Sequence, residues 1–376
     1  MTDQPVPSEE DVTEVRVTWA ELFFDLVFVF AVTEVSTLLR GDHSWLGVAY
    51  AMVVFVPIYW VWVGTCVYAN THTVDTAPDR LGIFTLGLLG LFMALAVPDA
   101  YHDRGVLFGA SYLAARVVLF AMVRRVGGML PVTYLVAVTV TGPLLLIGGF
   151  LPVPARALVW AAAAVTDLAT PAVRRRQLRR VRFAPGHLAE RFGGFLIIAL
   201  GESIVAIGAP AAASHHLSAG VIGAVAAAFV LACALWWVYY VFAASAVRHA
   251  LETSPDRGDI IRGVLSYGHL AFIGAIIMVA VGLAAVIANP GQRLAAGEAG
   301  MLFGGCALYL ATFGYTRWRM FRTVSVTRLT AAGVVVLLSP VAVVVPALVS
   351  LSSVAAVVVG LNVYEHVVVR RRAANG

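Results

Sequence analysis

The sequence predicts an all-α integral membrane protein with about twelve transmembrane helices, built as two parallel six-helix repeats with both termini cytoplasmic. Three observations carry that expectation. First, the 376 residues are 60% apolar and only 12% charged, with a mean hydropathy of +0.88, whereas soluble domains hold roughly 25% charged and about 45–50% apolar residues. Second, the arginines fall alternately between the apolar stretches. Third, two of those stretches repeat one pattern. Trp19 to Leu39 reads WAELFFDLVFVFAVTEVSTLL and His187 to Gly208 reads HLAERFGGFLIIALGESIVAIG. Each opens near an Ala-Glu pair (Ala20-Glu21, Ala189-Glu190) and carries a second carboxylate further on (Glu34, Glu202).

A span needs about 20 apolar residues. In chain order the expected spans are 18–39, 45–68, 81–98, 105–123, 130–151, 156–173, 188–209, 217–247, 259–288, 298–316, 329–348 and 351–369. With the N-terminus inside, twenty of the 26 basic residues, all arginine, lie on the cytoplasmic side. Only Arg40, Arg104, Arg156 and Arg293 lie outside, and Arg116 and Arg191 are embedded. Such a bias follows the tendency of cytoplasmic loops to collect positive charge. The expected organisation is a cytoplasmic tail (1–17), a first repeat (18–173), an Arg-rich cytoplasmic linker (174–186), a second repeat (187–369) and a C-terminal tail (370–376).

The repeat extends beyond the first span of each half. Tyr59-Trp60-Val61-Trp62 matches Trp236-Trp237-Val238-Tyr239, and Tyr112-Leu113-Ala114 matches Tyr309-Leu310-Ala311. Pro143 answers Pro340, Arg125 answers Arg322, and the triplet Arg174-Arg175-Arg176 answers Arg370-Arg371-Arg372. An even number of spans per unit gives both halves one orientation, an arrangement in which transporters hold their sites near the midplane between the repeats.

Ionisable groups inside the bilayer are costly, about 2.5–3.5 kcal/mol at a helix centre on insertion scales, and so point to function. In the first span Glu21 and Asp25 are four apart and share a face. Glu34, nine residues past Asp25, points the opposite way at 100° per residue. With Phe28 at the centre, Asp25 lies about 4–5 Å from the midplane and Glu34 about 9 Å toward the outside. A span polar on two sides is expected to be enclosed by other helices. Arg116 in the fourth span needs an acidic partner or a bound anion, with Asp25 nearest in depth and Glu34 and Glu202 as alternatives. The candidate substrate or proton pathway is therefore Glu21, Asp25, Glu34, Arg116, Glu190, Glu202, Ser203 and His269. An ion pair that only fixes helix packing is the competing reading. Asp167 and Glu365 each precede an arginine triplet and are expected to pair with it. Trp60, Trp62, Trp236 and Trp237 read as packing or interfacial residues, and Gly300 to Gly304 has the GxxxG spacing of close helix contact.

Other features narrow the function. Cys66, Cys233 and Cys306 sit in apolar segments without metal-ligand spacing and are expected as small packing residues. The N-terminus is acidic and its first apolar segment carries three carboxylates, unlike a cleavable signal. No Walker loop, dinucleotide fingerprint, HExxH or nucleophile elbow is present, so no cofactor and no metal are expected and an enzymatic role is disfavoured. The net charge of +5 and pI near 9.3 reflect cytoplasmic arginines; nucleic acid is not an expected partner. The expected partners are the lipid bilayer, anionic lipids at Arg174–Arg182 (RRRQLRRVR), and a small solute or ion.

The runs WAELFFDLVFVFAVTEVS (Trp19 to Ser36) and ERFGGFLIIALGESIVAIG (Glu190 to Gly208) resemble the two recognisable blocks of the bacterial low-temperature-requirement A family, LtrA. The resemblance covers most of the chain and implies a polytopic bacterial inner-membrane protein from a family named for cold growth, whose substrate is not established. Its motif positions fall on Glu21, Phe24 and Asp25, and on Glu190, Arg191, Phe192, Gly201, Glu202 and Ser203. The Gly193-Gly194 pair departs from that pattern. The leading expectation is a secondary transporter, proton coupling included, for a small solute. The alternatives are a membrane enzyme, receptor or scaffold acting on lipid or envelope, and a cation channel. The last rests on a loose resemblance to the lysosomal potassium channels and their Phe-Ser-Asp motif.

Overall fold

Short hydroxyl side chains set several helix starts, because the first backbone N–H groups of a helix lack carbonyl partners. Thr18, Ser44, Thr76 and Ser218 each accept a hydrogen bond from the backbone N–H of the residue three positions on. At Thr18 the Glu21 carboxylate answers through Oε1, 3.1 Å from the Thr18 backbone nitrogen, closing a capping box.

A computed structural model describes residues 17–72, 74–127, 132–173, 175, 183–214, 216–254 and 256–374 of the chain. Helix α1 is Trp19–Gly41, α2 Trp45–Thr71, α3 Ala77–Ala96 and α4 Gly105–Val126. Helix α5, Val132–Gly149, contains a π turn at Ala137–Thr141, and α6 is Val153–Val173. Helix α7 is Pro185–Ala213, and α8, Ala219–Thr253, is interrupted by a turn between Tyr240 and Ala244. Helix α9, Arg257–Ala288, holds a π stretch at Ile261–Gly268. Helix α10 is Ala296–Phe321, α11 Val326–Val343 with a tightened 3-10 end, and α12 Ala347–Ala374. The described residues form no named strand; their one β feature is an isolated bridge between Arg293 and Pro346.

Ten of these helices are long and apolar enough to cross a membrane; α6 and α10 are not among them. The protein is thus a nearly all-helical multi-pass membrane protein whose natural surroundings are a lipid bilayer. Its exposed large side chains fit that setting: Leu81, Leu158, Ile197, Phe229 and Leu337 all point outward.

Helix α9 is the hub. Its most apolar window is 89% buried, and it packs against α7, α10 and α1. The α9–α10 contact depends on glycine at two places. A Cβ on Gly305 would lie 2.8 Å from the Ala275 carbonyl oxygen, and one on Gly282 would lie 2.7 Å from Leu302. The expected GxxxG pair is not what brings these helices together, since Gly300 faces open space and Gly304 meets only the Met278 side chain. Gly109 and Gly149 do the same work between α4 and α5, where a Cβ would strike backbone.

Several expectations are corrected. Helix α1 is not enclosed: it packs on α3, α2, α9 and α7, and leaves Leu22, Phe23 and Leu26 exposed. Those apolar side chains suit lipid, and Glu34, on the second polar side, is only half-buried. Arg116 pairs with Asp167 of α6 (3.4 Å) rather than with Asp25, Glu34 or Glu202. Asp167 thereby serves Arg116 on a buried face of α6, where Tyr112 and Thr141 also donate to it, while Arg174 and Arg176 of the following triplet lie outside the described residues. Glu365 is held by Arg328 through two hydrogen bonds of 3.0 and 2.9 Å, since α11 lies beside α12 there. Cys66 and Cys306 are buried as expected, but Cys233 is exposed. The tail 1–16 and most of the Arg174–Arg182 linker lie outside the described residues, as do the side chains of 370–376.

Candidate functional site

The two motif-bearing helices, α1 and α7, lie against each other, and their polar residues form two clusters along that contact. The first is at the starts of both helices. Arg191 of α7 reaches Glu21 Oε2 at 3.1 Å through Nη1 and Asp25 Oδ1 at 2.8 Å through Nη2. The exposures of these three residues are 1%, 1% and 2%, so the pairs are dry. Helix α2 completes the shell. Trp62 Nε1 donates to Asp25 Oδ1 at 2.7 Å, and Cys66 Sγ lies 3.4 Å from Arg191 Nη2. Trp62 is held in place by Phe195, stacked at 4.2 Å between ring centres, and by the edge of Phe192.

His187 of α7 closes the cluster, with Nε2 3.1 Å from Glu21 Oε2. Its tautomer follows from its other neighbour. Asn70 Oδ1 accepts from the Ala184 backbone N–H at 3.0 Å, so Asn70 Nδ2 is the donor facing His187 Nδ1 at 3.2 Å. Nδ1 therefore accepts, and a neutral His187 carries its hydrogen on Nε2, toward Glu21. That hydrogen is not well aimed at the carboxylate, so the contact is electrostatic more than hydrogen-bonded. With His187 neutral, two carboxylates face one guanidinium and the buried cluster is one proton short of neutrality.

The second cluster lies nearer the far end of α1. Glu202 Oε2 accepts from Thr33 Oγ1 at 2.6 Å and Glu202 Oε1 accepts from Arg40 Nη2 at 2.9 Å. Arg40 also donates to Ser36 Oγ at 3.1 Å and leaves 30% of its side chain exposed, opposite a Glu202 side chain at 1%. Glu34 lies in the electrostatic range of Glu202, Arg40 and Arg104. Ser203 Oγ is buried without a hydrogen-bond partner among the described residues.

Thr33 lies eight positions beyond Asp25, about 12 Å along the axis. Across this interval the buried residues of α1 are Phe28, Ala31 and Val32, and those of α7 after Arg191 are Phe192, Phe195, Leu196, Ala199 and Leu200. All are apolar. The seam thus has two polar ends and a dry middle.

The remaining candidates lie elsewhere. Arg116 sits inside the first half, where Nη1 donates to the Trp60 carbonyl at 3.1 Å, and Asp167, Tyr112 and Thr141 surround it. Glu190 is exposed on α7, so the helix turns its neighbour Arg191 toward α1 instead. His269 in α9 is fully buried. Its Nδ1 faces the Val264 carbonyl at 3.0 Å, which only accepts, so Nε2 receives the Tyr239 hydroxyl at 2.7 Å. Asp25, Glu34, Arg116 and Glu202 therefore do not converge on one cavity. Arg191, His187, Trp62 and Arg40 are the residues that sequence reasoning missed. Arg191 was marked by its place in an apolar block and among the motif positions, but not as the partner of Glu21 and Asp25. Nothing in the sequence marks Arg40 as a partner of Glu202, 162 residues away.

Comparison with known proteins places these helices in context. Residues 16–363 match the family described as bacterial low temperature requirement A protein, LtrA. The chain is 32% identical over 319 residues to an uncharacterised protein of Rhizobium meliloti (strain 1021), covering 81% of this chain and 77% of that one. No solved structure matches it. The match takes in both motif blocks and the whole seam between them: the chain belongs to the LtrA family of bacterial polytopic membrane proteins.

Proposed function

We propose that the protein is a proton-coupled secondary transporter of a small solute, with the α1–α7 seam as its proton-carrying element. The observation that carries this reading is the geometry at Glu21, Asp25, Arg191 and His187, where two buried carboxylates share one guanidinium and an imidazole lies against Glu21. A buried cluster with two carboxylates for one guanidinium is costly as it stands, and one proton relieves it. Gain and loss of that proton then bias the contact between the two helices that hold it. The apolar middle blocks that proton in this conformation; the second cluster, with the part-exposed Arg40, Glu202 as acceptor and Glu34 and Ser203 beside it, is its exit only in a conformation that opens the middle.

The proposal extends to architecture. Helices α6 and α10, with 21 and 26 residues, are at 1.5 Å per residue long enough for a hydrocarbon core of about 30 Å. Counted with the ten, they give twelve spans, two parallel repeats at 18–173 and 187–369, and both termini in the cytoplasm. In that arrangement α1 and α7 are equivalent first helices, and their meeting places the seam between the halves. The plasma membrane is the proposed location, with anionic lipids along the Arg-rich linker.

A second reading is favoured by the dry middle of the seam. Apolar constrictions of this kind close ion channels by excluding water, and single-channel currents would distinguish a channel from a slow carrier. The transport reading is tested in proteoliposomes loaded with a pH-sensitive dye and challenged with panels of small organic anions, cations and neutral solutes. Solute-evoked pH changes are expected for the wild type and abolished by Asp25→Asn and by Glu202→Gln, both inserting normally. Unchanged signals in both variants, or none in the wild type with any panel, would overturn it.

A further inference from the structure

A cavity of about 450 Å³ opens where the end of α10, the start of α11 and the end of α12 meet α8 and α9. It is separate from the α1–α7 seam, and of the candidate pathway residues His269 alone lines it. Its volume lies in the range typical of small-molecule sites, about 300–1,000 Å³. Its walls are aromatic: Tyr239, Phe242, Phe272, Phe313, Phe321 and Tyr364. The deep end is the Tyr239–His269 pair, whose hydrogen bonds are mutually satisfied. Aromatic faces on several sides suit a flat apolar body better than a flexible chain.

Among the described residues, the charged side chains lining this aromatic box are Arg317, Arg328 and Glu365. Arg328 is 8% exposed, stacks 4.5 Å over the Phe313 ring and is locked on Glu365 by two hydrogen bonds. That pair is neutral as a unit. Arg317 is exposed and engages Thr323 Oγ1 through Nε at 3.2 Å, which leaves its two terminal nitrogens without a partner among the described residues. Among the described residues the lining therefore carries two guanidinium groups against one carboxylate. It matches a single negative charge and repels a positive one, despite aromatic walls that would otherwise suit an organic cation.

We propose that this cavity binds a monovalent organic anion with a flat, apolar body, its acidic group held by Arg317 and its ring system lying between Phe242, Phe272 and Phe313. If the protein is a transporter, as proposed above, such anions are its substrate class. The binding itself does not depend on that reading. It is measured on the full chain in nanodiscs of zwitterionic lipid, without any gradient, using 1-naphthoate, 1-naphthamide and (1-naphthylmethyl)trimethylammonium as probes. Naphthoate is expected to bind about tenfold tighter than the neutral amide, the effect of one charged hydrogen-bonded contact, and the cation weakest of the three. Arg317→Gln should bring naphthoate to the level of the amide, and Arg317→Lys should keep most of the preference. Because Arg317 is exposed, neither variant threatens folding, which an unchanged melting temperature confirms. Equal binding of the three probes, no naphthoate binding, or a preference untouched by Arg317→Gln would each overturn the proposal. Naphthoate binding in nanodiscs together with silence of every solute panel in proteoliposomes would refute the transporter reading alone.

Discussion

Glu21 has two tasks in one carboxylate. Oε1 closes the capping box at the start of α1, and Oε2 takes the Arg191 guanidinium. The helix start and the ion-pair cluster are therefore coupled, and a change at one reaches the other. Arg191 is the residue on which the cluster turns, because its guanidinium bridges both Glu21 and Asp25. Arg191→Gln leaves two carboxylates buried and is expected to cost about 3–5 kcal/mol of stability, measured by denaturant unfolding in micelles. Asp25→Asn in the same background should recover part of that loss, since it removes one stranded carboxylate, with a coupling of about 0.5–3 kcal/mol. Strict additivity of the two changes would show that the contact does not exist in the protein. The first-span residues of this cluster, Glu21 and Asp25, were legible in the sequence, since carboxylates in a lipid-spanning stretch stand out against their surroundings. Their partner was not, because an arginine 166 residues away from Asp25 gives no local sign of where its side chain will rest.

Among the elements, α9 shows how packing replaces hydrophobic sorting in a membrane, where lipid tails are as apolar as leucine. Its contact with α10 is close because Gly282 and Gly305 let backbone approach backbone. Gly305→Leu should therefore lower stability by about 1–3 kcal/mol through overpacking, while Gly300→Leu, facing open space, should leave the melting temperature unchanged. Equal effects at the two positions would contradict the packing described. Spacing alone favoured Gly300 and Gly304; which glycine faces a neighbour depends on the rotation of the helix, and no motif encodes that. The two π stretches tell a similar story. They precede Gly142 and His269 and turn Thr141 toward Asp167 and His269 toward Tyr239. Such local widening of a helix is frequent at functional sites, and hydropathy does not register it.

For the chain as a body, the distribution of arginine and the proposed twelve spans make one prediction about sidedness. Alkaline phosphatase fused after Gly376 should be inactive and a fluorescent protein fused there bright, whereas phosphatase inserted at His102, between α3 and α4, should be active. The reverse pattern would break the proposed topology and the repeat with it. Long apolar segments and their flanking charges already imply a bilayer protein, because transfer into hydrocarbon depends on composition over about 20 consecutive residues, a property any reader can sum along the chain. Which charged groups meet is another matter. Asp25 and Arg116 have similar expected depth, yet depth leaves the direction around each helix axis open. Folding turned Arg116 toward Asp167 and gave Asp25 to Arg191. Partner choice among buried charges is settled by lateral position and helix rotation, which arise from the packing of all the helices at once.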